Sequence, residues 1–419
     1  MPNLLPFQSH DVPILQSLKR ALVFWDMGLG KTVLALSAAG SRVLVVAPPS
    51  ALGVWKSHAA VWRPDLTVRT THGRGNLLYP REGELVLCTP HRLGAWHPMA
   101  GFDLIFDECQ SLRKASAAIT RHARNLANAV RLGGGRTWLL SGTPLEHRPD
   151  DLKGLLVLAG LLQAFGGEET FNRLFGYQER PRGHAWGVPH PEAAARLRPF
   201  VLRRTRADVQ HDLPPRRHRE LCVPLSTRTA RLCDDALLAI HARGLTLEGS
   251  IHLSQLNRLP RFNEVSRARS ALATAKIPAL LDLVERYETA GEPLVVASSH
   301  RTPLDAIALR PGWRSITGDT SPRQRTLACA AFQAGELKGI AISEAGGVAI
   351  TLTRASDMVV VSDPWSPAML EQMESRIHRT GQHRPVLITR LTSTHPLERR
   401  VEVLHAEKSL VIRESVGRI

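Results

Sequence analysis

Short apolar runs alternate with stretches of helical periodicity along most of the chain. They form two groups, at residues 21–24, 43–47, 85–88, 104–106 and 138–140, and at 294–297, 340–342, 358–361 and 386–388. Continuous runs of valine, leucine and isoleucine of this length are typical of parallel strands buried on both faces. Because helical patterns separate the runs, each group predicts a doubly wound α/β unit. The pattern therefore predicts two similar lobes.

The stretch at residues 145–275 interrupts this pattern. It shows helical periodicity and many arginines, with little strand signal. Two α/β lobes on either side of a mainly helical middle is therefore the fold that the sequence predicts. The length of 419 residues agrees with it, since it suits two or three domains.

The chain is strongly basic, with a formal net charge of +16 at pH 7, and only eight of its 54 basic residues are lysines. Such an arginine excess favours a polyanionic partner, because a guanidinium can bind two phosphate oxygens at once. Codon bias in a GC-rich genome is the competing explanation, and charge alone leaves both open. With 43% hydrophobic and 22% charged residues, the composition is that of a globular protein.

Several classes of protein are disfavoured. The five cysteines show no paired short spacing, which argues against a zinc site or a disulfide framework and for a reducing compartment. The longest apolar stretch, residues 155–165, is too short to cross a bilayer. The first residues lack the charged leader and apolar core of a signal peptide. We therefore expect a soluble intracellular protein.

The strongest local signal is the sequence Asp-Met-Gly-Leu-Gly-Lys-Thr at residues 26–32, directly after the first predicted strand. Glycines let backbone amides curl around phosphates, and the following helix directs its positive end at them. Lys31 is then expected to contact the β and γ phosphates of a nucleotide, and Thr32 to hold magnesium. Trp25 stands where the strict pattern has glycine.

Two acidic residues follow another predicted strand. Asp107 and Glu108 come directly after the apolar run at 104–106. Asp107 is expected to hold the magnesium shell, and Glu108 to polarise the attacking water. An acidic pair alone is more often a solvated loop, but together with the upstream phosphate loop it predicts a nucleotide-hydrolysing site.

Two further segments add polar groups. A small polar turn at 141–144 follows the strand at 138–140, and Ser366 with Pro367 predicts a helix start far downstream. Gly381 predicts where that helix stops.

A helix of that length would place Gln372, Arg376 and Arg379 on one face, because they are four and three residues apart. Two arginines directed at one place are typical of groups that stabilise a phosphoryl-transfer transition state. A solvent-facing basic helix is the competing interpretation of this segment by itself.

These four motifs, in this order, resemble those of superfamily 2 helicase-like motors, specifically the Snf family of double-stranded DNA translocases. The resemblance spans nearly the whole chain and is most family-specific at residues 200–209 and 213–215. It implies an α/β fold of two RecA-like parallel-sheet lobes with Snf-type helical insertions and a C-terminal brace. The implied parts are lobe 1 at 1–205 with a helical insertion at about 145–200, an inter-lobe linker and helical protrusion at 206–275, and lobe 2 with the brace at 276–419.

The resemblance also implies roles for individual residues, with ATP bound between the lobes. The catalytic residues would be Lys31, Asp107, Glu108, Arg376 and Arg379, the last two as arginine fingers. The residues expected to bind ATP are Gln8, Met27, Gly28, Leu29, Gly30, Lys31, Thr32 and Gln372, with Thr32 and Asp107 also on Mg²⁺. The residues expected to contact DNA are Pro48, Ser50, Thr89, Ser299, His300, Thr317, Gly318 and Ser343. The residues expected to couple the two sites are Ser141, Gly142, Thr143, Gly346 and Gly347.

Some positions depart from the family pattern. Trp25 replaces an acid beside the phosphate loop, and Cys109 and Gln110 replace the usual last residues of the acidic motif. Ala349 and Thr351 stand where glycine and asparagine are common. None of these changes removes a catalytic residue, so the resemblance still implies hydrolysis.

The function that the resemblance implies is ATP-dependent translocation on duplex DNA. Such a motor would remodel DNA structures or displace bound proteins in replication, recombination or repair, with ATP and Mg²⁺ as cofactors. We expect a monomer with little DNA sequence specificity, in the cytoplasm of a prokaryote or of a phage-infected host. A strand-separating helicase of superfamily 2, acting on DNA or RNA, is the alternative function, and a non-hydrolysing DNA-binding or scaffold protein is another.

Several arginines in the middle of the chain have two open interpretations, because they either line a DNA path or brace the lobes. They are Arg203, Arg204, Arg206, Arg216, Arg217 and Arg219. Trp55, Trp62 and Trp138 are expected to pack in the core. His378 is expected to belong to a polar network and not to hold a metal.

Overall fold

Two parallel β-sheets organise the described part of the chain. The computed structural model describes residues 3–71, 79–95, 101–112, 118–142, 149–180, 183–209, 213–241, 262–347, 350–364, 366–379 and 381–399. These residues form two compact units that divide between residues 211 and 212. None of the helices in these ranges is both long and apolar enough to cross a membrane.

The first unit is built on a seven-stranded sheet with the order β3-β4-β2-β5-β6-β1-β9, in which every neighbouring pair is parallel. A separate antiparallel hairpin, β7 with β8, precedes the last strand. The strands are β1 (Arg20–Trp25), β2 (Arg42–Val46), β3 (Thr67–Thr70), β4 (Glu84–Cys88), β5 (Asp103–Phe106), β6 (Arg136–Leu140), β7 (Gln178–Arg180), β8 (Gly183–Ala185) and β9 (Val201–Arg204).

Helices cover both faces of this sheet, as the continuous apolar runs of its strands require. In the helix Ala118–Leu132, the buried residues Ala123, Leu126, Ala127 and Val130 recur at the spacing of one helical face. The helices are α1 (Pro6–Ser17), α2 (Lys31–Ala38), α3 (Pro49–Trp62), α4 (Ala118–Leu132), α5 (Pro149–Leu158), α6 (Leu162–Phe165), α7 (Gly167–Leu174), α8 (Pro191–Leu197) and α9 (Arg206–Val209). Short 3₁₀ helices are Pro90–Ala95, Cys109–Leu112 and Arg198–Phe200.

The second unit is built on a six-stranded parallel sheet with the order β10-β15-β14-β11-β13-β12. Its strands are β10 (Arg216–Cys222), β11 (Leu294–Ser298), β12 (Trp313–Ile316), β13 (Gly339–Ile342), β14 (Asp357–Ser362) and β15 (Val386–Thr392). Its helices are α10 (Thr227–His241), α11 (Phe262–Ala275), α12 (Ile277–Ala290), α13 (Arg301–Ala308), α14 (Pro322–Ala334) and α15 (Pro367–Glu374).

Both faces of the second sheet are buried. Along β11, Val295 and Ala297 belong to one apolar cluster, and Leu294 and Val296 belong to another. Alternate residues of a strand point to opposite faces, so the two clusters lie on opposite sides of the sheet. This double burial is the physical reason for the unbroken apolar runs in the sequence.

The carboxyl ends of the strands meet at one edge of each sheet. In the first unit, β1 lies between β6 and β9, and β6 lies between β1 and β5. The loops that follow Trp25, Phe106, Leu140 and Arg204 therefore leave the sheet side by side, which is where open α/β sheets bind ligands.

The opposite, amino edge of the first sheet has a polar cavity of about 450 Å³. Its lining includes Gly133, Gly134, Asp103 and Arg136. The Asp103 carboxylate accepts hydrogen bonds from Arg136 at 2.8 and 2.6 Å and from the Gly40 amide at 2.7 Å. This ion pair joins the starts of β5 and β6.

Each of the nine predicted strands is present. The described part of residues 145–275 is mainly helical, as predicted, but it also contains strands that the sequence did not reveal: β9 and β10 complete the two sheets, and β7 and β8 form the hairpin. Both sheet-completing strands lie at sheet edges and carry several arginines, so they lack the apolar run that marks a buried strand. Most of the brace predicted for the C-terminus lies outside the described residues.

Candidate active site

The phosphate-binding loop joins β1 to α2, as predicted. Gly28 and Gly30 have φ values of 84° and 86°, a left-handed conformation that glycine adopts without strain. Helix α2 begins at Lys31, so Thr32 lies in its first turn. An anion in this loop would therefore meet the positive end of the helix dipole.

Lys31 is directed back at its own loop. Its Nζ donates to the carbonyl oxygens of Trp25 at 2.8 Å and Asp26 at 3.2 Å. Burial lowers the pKa of Lys31, while the charges of Glu108, Asp107 and Asp26 oppose that shift. The ammonium therefore lies among acidic groups in a site where charges interact strongly.

Gln8 anchors α1 on the same loop. Its side-chain amide donates to the Leu29 carbonyl oxygen at 2.9 Å, and its own side-chain oxygen accepts from the Leu5 amide at 3.0 Å. A Cβ atom at Gly30 would lie 2.5 Å from Gln8 Nε2, so the loop passes closely beneath this side chain. Met27 and Leu29 of the loop are buried.

Asp107 follows β5 and is held by Trp55 of α3. The indole Nε1–H of Trp55 donates to Asp107 Oδ2 at 2.7 Å, and the Glu108 amide donates to Asp107 Oδ1 at 3.0 Å. Burial first, and then the charge of Glu108, raise the pKa of Asp107 to about 6. The Trp55 hydrogen bond opposes this shift because it stabilises the carboxylate.

Glu108 is connected to the turn after β6 through Gln110. Gln110 Nε2 donates to Glu108 Oε2 at 2.6 Å, and Ser141 Oγ donates to Gln110 Oε1 at 2.8 Å. Glu108 has φ 48° and is the non-glycine residue with positive φ among the described residues. Such a conformation costs on the order of 1–3 kcal/mol, so the surrounding contacts must hold Glu108 in place.

Gly142 lies against Lys31. A Cβ atom there would lie 2.7 Å from Met27 Sδ and 3.0 Å from Lys31 Nζ. The loops after β1, β5 and β6 therefore converge on one place, with Lys31 at its centre. Thr143, the next residue predicted to couple the sites, lies outside the described residues.

The three predicted DNA contacts of the first unit lie at the same edge of the sheet. Pro48 is the N-cap residue of α3, and Ser50 is in its first turn. Thr89 follows β4, and its carbonyl oxygen accepts from the Arg92 amide at 3.0 Å.

In the second unit, the predicted DNA contacts also follow the carboxyl ends of strands. Ser299 and His300 follow β11, where the Ser299 hydroxyl donates to the Ser362 carbonyl oxygen at 3.1 Å. Burial, and then the charges of Arg269 and Lys276, lower the pKa of His300 to about 4, so its imidazole is neutral at pH 7.

Thr317 and Gly318 follow β12, and Ser343 follows β13. A Cβ atom at Gly346 would lie 1.9 Å from the Ile316 carbonyl oxygen, and the Gly347 amide donates to the Ser343 carbonyl oxygen at 2.7 Å. The turn that begins at Ser343 therefore packs directly on the end of β12.

The prediction of a long arginine-bearing helix near the C-terminus is wrong. Helix α15 begins at Pro367, as predicted, but it ends at Glu374 and not near Gly381. Gln372 is on the helix, whereas Arg376 and Arg379 lie beyond its end and do not share a helical face with it.

Beyond the helix, both arginines contact the segment at residues 350–352. The Arg376 carbonyl oxygen accepts from the Leu352 amide at 2.9 Å, and Arg379 Nη1 donates to Ile350 O at 3.2 Å and Thr351 Oγ1 at 3.0 Å. His378 is paired with the Pro214 carbonyl oxygen at 2.9 Å, as expected for a member of a polar network.

Two family models match the chain. The SNF2-related domain matches residues 14–246, and the helicase conserved C-terminal domain matches residues 275–381. The first match covers more than half of the chain. The chain belongs to the SNF2-related family. Its two matched domains are those of helicase-like ATPases.

Individual SNF2-related proteins align over most of this chain. YwqA of Bacillus subtilis, named as an ATP-dependent helicase/translocase, is 24% identical over 97% of this chain and 48% of its own length. The Caenorhabditis elegans homologue of SWI/SNF-related matrix-associated actin-dependent regulator of chromatin subfamily A-like protein 1 is 27% identical over 92% of this chain and 58% of its own length. The chain thus spans about half the length of these relatives.

Among solved structures, the Sulfolobus solfataricus SWI2/SNF2 ATPase core in complex with dsDNA is similar, with a TM-score of 0.45 and 19% identity. The alignment covers 100% of this chain and 94% of that one.

Two residues of this SNF2-related site were not predicted to be part of it. Trp55 was expected to pack in the core, which it does with no exposed surface, but its indole N–H also holds Asp107. Gln110 was noted only as a departure from the family pattern, and it connects Glu108 to Ser141. An amide with a donor and an acceptor at position 110 is the sequence signal that could have indicated such a bridge.

Proposed function

We propose that this chain is an ATP-driven translocase on duplex DNA. Membership of the SNF2-related family supports hydrolysis of ATP, and the name of the B. subtilis relative supports translocation. The family-specific segment at residues 200–209 supports duplex over single-stranded DNA, because it distinguishes the Snf motors from helicases in general.

One observation carries the proposal. The loops after β1, β5 and β6 bring Lys31, Asp107 and Glu108 together, and Gln110 connects Glu108 to Ser141. Hydrolysis needs a cation for the phosphates and an acid to position water, and both are present here. The bridge to Ser141 gives the acid a connection to a turn outside the nucleotide loop.

Magnesium fits this site. Asp107 and Thr32 offer oxygen ligands, which Mg²⁺ prefers. Burial, and then the charge of Glu108, raise the pKa of Asp107, so a cation bound beside it would stabilise its carboxylate. We propose that Thr32 and Asp107 hold Mg²⁺, which would neutralise phosphate charge when ATP is bound. The roles of Arg376 and Arg379 as fingers rest on the family motif alone.

The deciding experiment compares ATPase stimulation by single-stranded, duplex, forked and four-way-junction DNA. We expect duplex-containing substrates to stimulate most, and we expect the protein to displace a triplex-forming third strand without melting the duplex beneath it. Greatest stimulation by single strands together with separation of paired strands would instead establish a strand-separating helicase.

Lys31 is the residue on which the nucleotide assignment depends most. Lys31→Ala should abolish DNA-stimulated ATPase, because the phosphates lose their buried cation. Circular dichroism and DNA binding should stay close to those of the unchanged protein. Full turnover by Lys31→Ala would disprove the assignment of this loop.

A further inference from the structure

Strand β9 brings a cluster of arginines to the carbonyl side of the phosphate loop. It pairs in parallel with β1, and Trp25 lies opposite Arg204. The Asp26 amide donates to the Arg204 carbonyl oxygen at 2.9 Å, so the pairing continues into the loop. Arg203 Nη1 donates to the Phe24 carbonyl oxygen at 2.7 Å and to Asp26 Oδ1 at 2.8 Å.

Arg206 holds the next part of the loop. Its Nε and Nη2 both donate to the Met27 carbonyl oxygen, at 2.9 and 2.7 Å, and its backbone amide donates to Asp26 Oδ2 at 3.0 Å. Lys31 donates to the two carbonyls between, those of Trp25 and Asp26. Four successive carbonyls, the last two of β1 and the first two of the loop, thus accept hydrogen bonds from cationic side chains.

This arrangement answers a general requirement of phosphate-binding loops. When the backbone amides of a loop face an anion, its carbonyls face away and need donors of their own. Lys31 cannot donate to the loop carbonyls and bind a phosphate with the same N–H groups. In the site described above, Arg203 and Arg206 have no role in binding phosphate. Their hydrogen bonds to the loop can therefore persist when nucleotide binds.

We propose that Arg206, supported by Arg203, is a positioning residue that fixes the carbonyl side of the phosphate loop and so keeps its amide side shaped for phosphates. Arg206 also begins α9, the last described helix before the chain passes into the second unit. Because Arg206 joins the loop to α9, nucleotide binding should also order residues 205–209. The proposal rests on nucleotide binding by this family and not on translocation along duplex DNA.

The first test measures binding of a fluorescent ADP analogue to the full chain, without DNA, by anisotropy. Arg206→Ala should raise its Kd about tenfold, equivalent to about 1.4 kcal/mol and close to the lower end of the range for a lost charged hydrogen bond. Arg206→Lys keeps one charged donor and should recover part of the affinity.

Arg196→Ala is the matched control. Arg196 also donates to a backbone carbonyl, that of Phe165 at 3.0 Å, and to a carboxylate, that of Glu192 at 2.8 Å, but it does so on α8. It should bind the analogue like the unchanged protein. An unchanged Kd in Arg206→Ala, or an equal loss in Arg196→Ala, would overturn the proposal.

A second variant covers the case in which Arg206→Ala does not fold. Asp26→Asn keeps the size of the side chain but weakens the acceptor that Arg203 and the Arg206 amide share. Its Kd for the analogue should rise several-fold, and a Kd equal to that of the unchanged protein would refute the positioning role.

Hydrogen–deuterium exchange tests the ordering of the exit segment. Saturating ADP should slow amide exchange of residues 205–209 in the unchanged protein and have a smaller effect in Asp26→Asn. Exchange that ADP leaves unaltered in the unchanged protein would disprove the ordering. Because ADP binding is measured without DNA, these outcomes can be interpreted even if the protein does not translocate on duplex DNA.

Discussion

At the scale of single residues, the site depends on contacts between side chains that are far apart in sequence. Trp55 and Asp107 are 52 positions apart, yet the indole N–H is 2.7 Å from the carboxylate. They meet because β2, which precedes α3, pairs with β5, which precedes Asp107. Both residues can be found in the sequence, but only the strand order shows that Trp55 donates a hydrogen bond to Asp107.

The first prediction concerns the pH dependence of magnesium binding. Below its pKa of about 6, Asp107 is protonated and cannot bind Mg²⁺, so protons and Mg²⁺ compete. The Mg²⁺ concentration that gives half-maximal ATPase activity should rise as pH falls through 6, by up to about tenfold per unit, and be nearly constant above pH 7.

Trp55→Phe should move that dependence to higher pH. The change removes the N–H that lowers the pKa of Asp107, so the pKa rises further and protons compete at higher pH. At pH 6.5 the half-maximal Mg²⁺ concentration should be several-fold higher than in the unchanged protein. Trp62→Phe, the same change later in α3, is the control, and equal Mg²⁺ dependence in both variants would contradict this role of Trp55.

At the scale of secondary-structure elements, buried strands could be predicted and edge strands could not. The strands that the sequence revealed, such as β2 and β14, are covered on both faces and have unbroken apolar runs. In contrast, β10 is the sequence Arg-Arg-His-Arg-Glu-Leu-Cys and is mostly exposed, so nothing in its composition separates it from a polar helix or loop.

The arginines in β9 and directly after it show the same limit. These arginines were expected either to line a DNA path or to brace the lobes. The two interpretations differ only in the direction that each side chain takes, and the local sequence pattern contains no information on this direction. Arg203 and Arg206 turn to the phosphate loop, and Arg204 is paired with the buried Asp11 of α1 at 2.6 Å. These three therefore brace the first unit.

The prediction that helix α15 ends near Gly381 is wrong for a related reason. Residue spacing predicts a helical face only where the helix continues, and α15 ends seven residues before Gly381. Beyond Glu374, Arg376 and Arg379 bond with the segment at residues 350–352 instead. Tertiary contacts, which local pattern does not record, decide where this helix ends.

The turn after β13 gives a prediction at this scale. Gly346→Ala must displace the turn, because the new Cβ would lie 1.9 Å from the Ile316 carbonyl oxygen. A strain of about 1–3 kcal/mol should weaken duplex DNA binding by about 5-fold to 150-fold, while the Kd for ADP stays unchanged. Fluorescence anisotropy with labelled duplex measures the first quantity.

Gly53→Ala is the control for this change. Gly53 is in α3, and a Cβ atom there meets nothing within 4 Å, so this variant should be unaltered in DNA binding and more stable by about 0.5–1 kcal/mol. If Gly346→Ala binds duplex as well as Gly53→Ala does, the turn has no part in DNA binding.

At the scale of the whole molecule, the net charge of +16 now has a more specific explanation. Some of the arginines that contribute to this charge hold parts of the first unit together, so they are not evidence for a nucleic-acid-binding surface. Family membership makes DNA the expected polyanion independently of charge. Genome bias remains an explanation for why these positions are arginine and so few are lysine.

This charge gives a salt-dependent prediction. Binding dominated by phosphate contacts should weaken linearly in log–log terms with salt, by about 10³-fold or more between about 50 and 200 mM if some six phosphates are neutralised. Two duplexes of unrelated sequence should bind with similar affinity at each salt concentration. Affinity that hardly responds to salt, or that depends strongly on sequence, would contradict a backbone-tracking motor.

The cavity at the amino edge of the first sheet has a practical consequence. All described first-unit residues with predicted roles lie at the carboxyl edge of the sheet or contact the loops there. The amino edge, which includes Gly133 and Gly134, is on the opposite side of the sheet from these residues. A dye, bead tether or fused reporter attached on that side would leave the residues at the carboxyl edge of the first sheet unobstructed. The polarity of a parallel sheet thus identifies an attachment point on the first unit that is away from its candidate site.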